Sequence, residues 1–188
     1  MEVTKEQVVN AYKAGDNGVK NALRAMFPSI NFEADIQADN RPVTERIKTF
    51  DDACAAVGID PEQFEEQFGE MPTADIAYLK LGIVCQALNE DWQPQFTEDE
   101  WRWYPWHFLY TQDELDEKDE EWKRRKALID TGDYITEYAG FAFAASTYAP
   151  SYTYSSVGSR LCLKSEALSD YCGTQFIRLW ADFKLRRR

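Results

Sequence analysis

The sequence has very little of what a catalytic or metal site requires. It has one histidine, His107, and four cysteines, and none of them falls at the ligand spacing of a zinc site. A Cys–His nucleophile pair would have to use His107, but this residue lies in a run of aromatics, which favours a structural or edge position. Gly158-Ser159-Arg160 has a single glycine and lacks a phosphate-binding pattern. We therefore predict no catalytic residue, no metal and no cofactor.

Long apolar runs are also missing. No stretch of about 18 apolar residues occurs, which argues against a membrane span. The polar, acidic start Met1–Glu6 argues against a secretory signal peptide. The four cysteines are far apart in apolar patterns, which predicts small buried thiols in a reducing compartment. They are Cys54, Cys85, Cys162 and Cys172.

Positive charge is in short supply. Lys and Arg number 21 against 33 Asp and Glu, so the formal net charge is −12. Phosphate binding needs cations, and this balance argues against direct binding of nucleic acid. The charge has two interpretations, a solubilising surface or an acidic surface that imitates DNA and competes for a basic partner. A hydrolytic pair of carboxylates also stays open, since with 33 acids any such pair would carry no signal of its own.

Aromatic residues are abundant, with 6 Trp, 10 Tyr and 11 Phe, so the chain can bury a core. Residues 1–92 read as a helical region. Thr4 and Gln7 form a capping box, Thr49 caps the helix that follows it, and residues 74–89 carry the broadest apolar face. Residues 93–188 predict a small antiparallel sheet with helices. We expect this region to pack as one unit with the first.

The second region predicts an antiparallel sheet of about three strands, near residues 105–110, 139–146 and 157–163. Residues 111–126 predict one charged helix, acidic at its start and basic at its end, which matches the helix dipole. Ser165 caps a long C-terminal helix that should lie on the sheet. The expected fold class is α+β.

A loop between the last two predicted strands is rich in serine and tyrosine. Tyr148, Tyr152 and Tyr154 would supply contact area at a low entropic cost, and Arg160 would support them. These four residues are the predicted partner-binding site. A second surface candidate is formed by three tryptophans, although packing on the sheet is expected for at least two of them. They are Trp101, Trp103 and Trp106.

Several stretches resemble a protein family of gut Bacteroidetes phages and prophages that has no established activity. The resemblance is carried by residues 46–53, 104–106 and 157–165, and by four residues of the last helical region, Leu168, Tyr171, Gly173 and Phe176. It implies a viral setting, in the bacterial host cytoplasm or the phage particle. It carries over no functional residue.

Three hypotheses for function follow. The first is a non-enzymatic phage protein that acts through contact with another protein, either a phage structural protein or a host protein. The second is an acidic decoy or inhibitor that occupies a DNA-binding site. The third is an enzyme of unknown type, which would require a pocket with two perturbed carboxylates, or with one carboxylate beside His107.

Overall fold

A computed structural model describes residues 4–32, 41–90, 92–95, 97, 99–150 and 160–188. Contacts between Cα atoms divide the chain into two units, Met1–Arg41 and Pro42–Arg188, and the predicted boundary at residue 92 falls inside the second. None of the described helices is long and apolar enough to cross a membrane. The described elements are α1 Lys5–Ala14, α2 Asn17–Met26, α3 Val43–Arg46, α4 Phe50–Val57, α5 Pro61–Phe68, α6 Thr73–Asn89, β1 Trp101–Tyr110, α7 Gln112–Asp116, α8 Glu120–Arg125, β2 Ile129–Asp130, β3 Gly140–Pro150, α9 Glu166–Gln175 and α10 Ile177–Lys184.

The first unit is built around α1 and α2. The predicted capping box at α1 is confirmed, because the Gln7 amide N–H donates to Thr4 Oγ1 and the Thr4 amide N–H donates to Gln7 Oε1. Tyr12 of α1 stacks on Phe32 with ring centroids 4.3 Å apart. These rings and two valines form a small buried cluster, which completes the core of this unit. The valines are Val8 and Val9.

The core of the second unit forms between the helices and the sheet. Thr49 caps α4 as predicted, since its hydroxyl accepts from the Asp52 amide N–H at 3.1 Å. The long helix α6 packs against α4 and α10. Its last residue, Asn89, is only 5% exposed. The Asn89 amide donates to the Cys162 carbonyl at 2.8 Å and accepts from the Lys164 amide N–H at 2.9 Å, so it fastens the chain that enters α9 to the end of α6.

The predicted α+β class with a three-stranded antiparallel sheet is confirmed. The strand order is β1-β3-β2. Strand β1 begins at Trp101, earlier than predicted, and Trp103 lies opposite Tyr148 of β3. The third strand was placed wrongly, because β2 (Ile129–Asp130) takes that position. In the described part of residues 157–163, only Leu163 pairs with the sheet, through an isolated bridge to Trp103.

The two long helices expected in this region are both interrupted. Residues 111–126 form α7 and α8, because the Asp119 carboxylate accepts from the Trp122 amide N–H and starts a new helix. The C-terminal helix is divided at Phe176 into α9 and α10. Just before this point the Thr174 hydroxyl donates to the Asp170 carbonyl at 2.8 Å, a bond of the kind that bends helices.

Helix α9 contacts β1 and β3 through a glycine. A Cβ atom on Gly173 would lie 2.6 Å from Pro105 Cβ and 2.7 Å from Phe143 Cδ2, so only glycine permits this approach. On the same helix, the Tyr171 hydroxyl donates to the Ile47 carbonyl at 2.6 Å. Ile47 and Pro105, which are far apart in the sequence, therefore both pack against α9.

Candidate functional site

Three aromatic rings form a surface at one end of the β1–β3 pair. We call Trp101, Trp103 and Tyr148 the aromatic platform. Tyr148 lies 4.3 Å from Trp101 and 5.0 Å from Trp103 between ring centroids, tilted by 60° and 59°. Trp101 is 50% exposed and Tyr148 is 48% exposed, whereas Trp103 is partly buried. Large apolar rings are thus presented to solvent side by side.

The sequence places these rings together through strand register. Side chains two residues apart share one face of a strand, which brings Trp101 and Trp103 to the same side of β1. Trp103 is opposite Tyr148, and cross-strand partners of this kind are close enough for their rings to touch. The Trp103 backbone also exchanges two hydrogen bonds with Leu163, at 3.0 and 2.9 Å. The platform therefore stands on backbone that is paired on both sides.

The predicted partner-binding residues are placed as follows. Tyr148 lies in β3, within the platform. Tyr152 and Tyr154 fall outside the described residues. Arg160 is exposed and forms no ion pair with any residue that the structure describes. The structure therefore adds Trp101 as the exposed neighbour of Tyr148.

The expected packing of the tryptophans on the sheet is wrong for two of the three. Trp101 is 50% exposed and Trp106 is 54% exposed, as is their neighbour Phe108 at 56%. Trp106 and Phe108 alternate along β1 with Pro105 and His107, which contact Gly173 of α9, so these two rings lie on the opposite face of the sheet. Trp101 is the first residue of the strand. The sequence pattern of an aromatic strand does not show which of its side chains the helices cover.

The second polar feature of β1 is His107, which is partly buried. Its Nε2 lies 3.0 Å from the Gly173 carbonyl oxygen, and its Nδ1 lies 3.0 Å from Lys184 Nζ. A carbonyl only accepts and an ammonium only donates, so His107 carries its proton on Nε2 and offers the Nδ1 lone pair to Lys184. The ring stacks on Phe141 with centroids 4.9 Å apart. Both ring nitrogens are thus occupied by structural contacts.

Burial governs the electrostatics of this pair. Burial and, after it, the positive charge of Lys184 lower the pKa of His107 to about 3, against the raising effect of the Gly173 carbonyl. Burial also lowers the pKa of Lys184 to about 8. His107 is consequently neutral across the physiological range. Sequence reasoning missed Lys184 because it lies 77 residues from His107 and carries no local signal.

The carboxylates with shifted pKa values lie elsewhere. The pKa values of Asp52 and Glu114 are lowered by hydrogen bonds from helix N-termini, and that of Glu90 by its contact with Lys164. None of these three is a hydrogen-bond partner of His107. Within the described chain, no cluster of three or more His, Cys, Asp or Glu side chains could hold a metal ion.

The predicted burial of the cysteines is confirmed for all four. Three of them meet in the core, where a hydrogen bond to Cys172 and then burial raise the pKa of Cys85, with Cys162 nearby. Burial also raises the pKa of Cys162 to about 11, so the thiols of Cys85 and Cys162 stay protonated and are poor nucleophiles. In the first unit an open cavity of about 360 Å³ is lined by residues of which none is a carboxylate. They are Arg24, Pro28, Ser29, Ile30, Asn31 and Phe32.

No protein-family model, curated protein or solved structure matches the chain.

Proposed function

We propose that this is a non-enzymatic, phage-derived protein that acts by contact with another protein, through the aromatic platform. The observation that carries the proposal is the pair of half-exposed rings, Trp101 and Tyr148, held against each other at 4.3 Å. Tryptophan and tyrosine dominate the binding energy of protein interfaces because each buries a large area with few rotatable bonds. Arg160, exposed and without an ion pair in the described chain, would support the contact.

The rigidity of the platform favours this role. Tyr148 touches both indoles, so each ring limits the rotamers of the others. Because both strands are fixed by backbone hydrogen bonds, little conformational freedom remains to be lost on binding.

The local charge favours it as well. Residues 101–110 contain no aspartate or glutamate, although the chain as a whole has a formal net charge of −12. The three rings of the platform are uncharged themselves, although Glu100 directly precedes Trp101, and their burial avoids the cost of burying an unpaired charge.

The first experiment identifies the partner. A photo-crosslinking phenylalanine analogue is placed at Tyr148 in the protein produced in a bacterial host, with and without infecting phage. Tyr138, which is 37% exposed, is the matched control position. The proposal expects a protein crosslinked from position 148 that is not crosslinked from position 138. Equal products from the two positions, or none from position 148, would contradict it.

The second experiment measures affinity for the crosslinked protein after both have been purified. Removing Trp101 and Tyr148 together, as W101A/Y148A, should weaken binding at least ~30-fold, corresponding to about 2 kcal/mol for hot-spot rings. Y138A should bind as the wild type does. Both variants should remain folded by circular dichroism, although W101A/Y148A should melt at a lower temperature because it loses the ring contacts of the platform.

Salt dependence separates this proposal from an acidic decoy. A contact dominated by aromatic burial should change little in affinity when salt is raised from about 0.05 to 0.5 M, whereas a surface that imitates DNA would lose most of its affinity as charges are screened. If added salt steeply lowers the affinity of the wild type, and W101A/Y148A binds as tightly as the wild type, the acidic decoy is favoured.

A further inference from the structure

The outer edge of β1, on the side away from β3, carries backbone groups that can accept a further strand. Residues of a strand direct their backbone groups to alternate edges, and Trp103 exchanges its two hydrogen bonds with Leu163 on this outer side. His107 and Leu109 share its direction. Among the residues that the structure describes, none pairs with the backbone N–H or C=O of either residue on that side.

This open stretch is closed at both ends. At one end Pro105 has no N–H, and Lys184 Nζ lies 3.5 Å from its carbonyl oxygen. At the other end the Thr111 N–H donates to Glu114 Oε2 at 2.8 Å, within the capping box of α7. Proline and lysine are common means of protecting a sheet edge from other strands. The limits of the stretch therefore restrict the register of any strand that joins it.

We propose that this edge is a dimerisation site, at which β1 pairs antiparallel with β1 of a second copy around a two-fold axis at Phe108. His107 of each copy then lies opposite Leu109 of the other, and four hydrogen bonds form between the copies. Any other register centred on this stretch would bring Pro105 or Thr111 opposite one of these residues. The edge is thus complementary to itself in one register.

The side chains on the outer face fit the same register. Phe108 lies opposite its own copy in a pair without hydrogen bonds, where side chains approach most closely, and Trp106 lies opposite Tyr110 of the second copy. Trp106 and Phe108 are 54% and 56% exposed, and Phe108 already contacts Tyr110 with ring centroids 6.5 Å apart. Pairing therefore buries rings that the single chain leaves in water.

The size of the contact predicts a weak, reversible dimer. A large aromatic side chain buries about 150–250 Å², so two half-exposed rings in each copy contribute roughly 400 Å² in total, well below the ~1,200 Å² of stable interfaces. The formal net charge of −12 on each copy also opposes association. The dimer population should therefore rise with protein concentration and with salt, which screens the repulsion.

Analytical ultracentrifugation of the wild type between about 5 and 500 μM tests the association. F108K sets two ammonium groups opposite each other and should stay monomeric. I135K is the matched control, because Ile135 is 58% exposed, lies outside β1 and receives the same charge, so this variant should associate as the wild type does. A wild type that stays monomeric, or an F108K variant that associates equally, would overturn the proposal.

Cysteine substitution tests the register, with glutathione disulfide as the oxidant. F108C should form a disulfide between copies, because opposite Cα atoms in such a pair lie about 4.5 Å apart, within the range that a disulfide spans. W106C should crosslink far more slowly, since it faces Tyr110 of the second copy, and the four native cysteines are buried. Equal crosslinking of the two folded variants would overturn the proposed pairing.

The aromatic platform lies outside this contact, so W101A/Y148A should dimerise as the wild type does. Loss of the dimer in that variant would assign self-association to the platform and overturn the edge contact.

Discussion

Acid should weaken the fold through His107. The histidine is neutral in the folded protein because burial and the charge of Lys184 hold its pKa at about 3, whereas in the unfolded chain it titrates near 6.5. Between these two values the unfolded chain binds the extra proton. Stability that is fully present above about pH 6.5 is therefore lost progressively as the pH falls toward 3.

The loss is large enough to measure. Each pH unit below 6.5 removes about 1.4 kcal/mol from the free energy of unfolding, so a change from about pH 7.5 to pH 5 removes about 2 kcal/mol. The physical reason is that an imidazolium at position 107 would face the Lys184 ammonium at 3.0 Å. It would also be packed on the Phe141 ring, away from water.

Urea denaturation of the wild type and H107Q at both pH values isolates this effect. The amide cannot be protonated in this range, and the carboxylates are shared by both proteins, so their contribution cancels in the difference. The stability of the wild type relative to H107Q should fall by about 2 kcal/mol between about pH 7.5 and pH 5. A difference that stays constant across this range would refute the reasoning.

Proton NMR gives an independent check. The chain has a single histidine, so its ring signals need no assignment by mutagenesis. They should show no titration between about pH 5 and 8 in the folded protein. A midpoint near the ordinary value of about 6.5 would show that the ring is solvated, contrary to its contacts with Gly173 and Lys184.

Two further stability predictions use matched substitutions read out by urea denaturation. G173A should cost about 1–3 kcal/mol through overpacking against β1 and β3, whereas G82A, which meets nothing within 4 Å in the middle of α6, should stabilise by about 0.5–1 kcal/mol; equal effects would contradict the close approach at α9. N89A should cost about 2–4 kcal/mol because buried backbone groups lose their partners, whereas Q112A, which removes an exposed hydrogen bond, should change stability by less than about 0.5 kcal/mol. A loss for N89A no greater than that for Q112A would show that those groups find other partners.

Local features of the fold could be predicted from the sequence because they depend on residues three or four positions apart. The capping box at Thr4 and the helix cap at Thr49 are of this type, and both are present. The α+β class could also be predicted, since helical and alternating patterns occupy different halves of the chain.

Strand pairing was harder to predict because it is set by distant contacts. Residues 157–163 have the composition of a strand, yet only Leu163 pairs in the described part. The two-residue strand Ile129–Asp130 is too short to show any period, and its position follows from pairing with Phe141 and Gly140.

The candidate site, too, could be predicted from the sequence only in part. The composition of the loop near Tyr148 indicates a contact surface, and Tyr148 is indeed exposed. That Trp101 lies beside it depends on the register in which β1 pairs with β3, which the sequence does not reveal. The proximity of Lys184 to His107 depends on where packing places the end of α10, which no local sequence pattern shows.

Strand β1 is held in place at two points along its length. Near its middle, His107 is tied to α9 and α10 by hydrogen bonds to Gly173 and Lys184. Near its start, Trp103 is tied to Leu163. An edge strand held at both places has little freedom to shift its register, and register is what brings Trp103 opposite Tyr148. The packing of β1 on the helices therefore fixes the geometry of the aromatic platform, and the buried contacts serve binding without touching the partner.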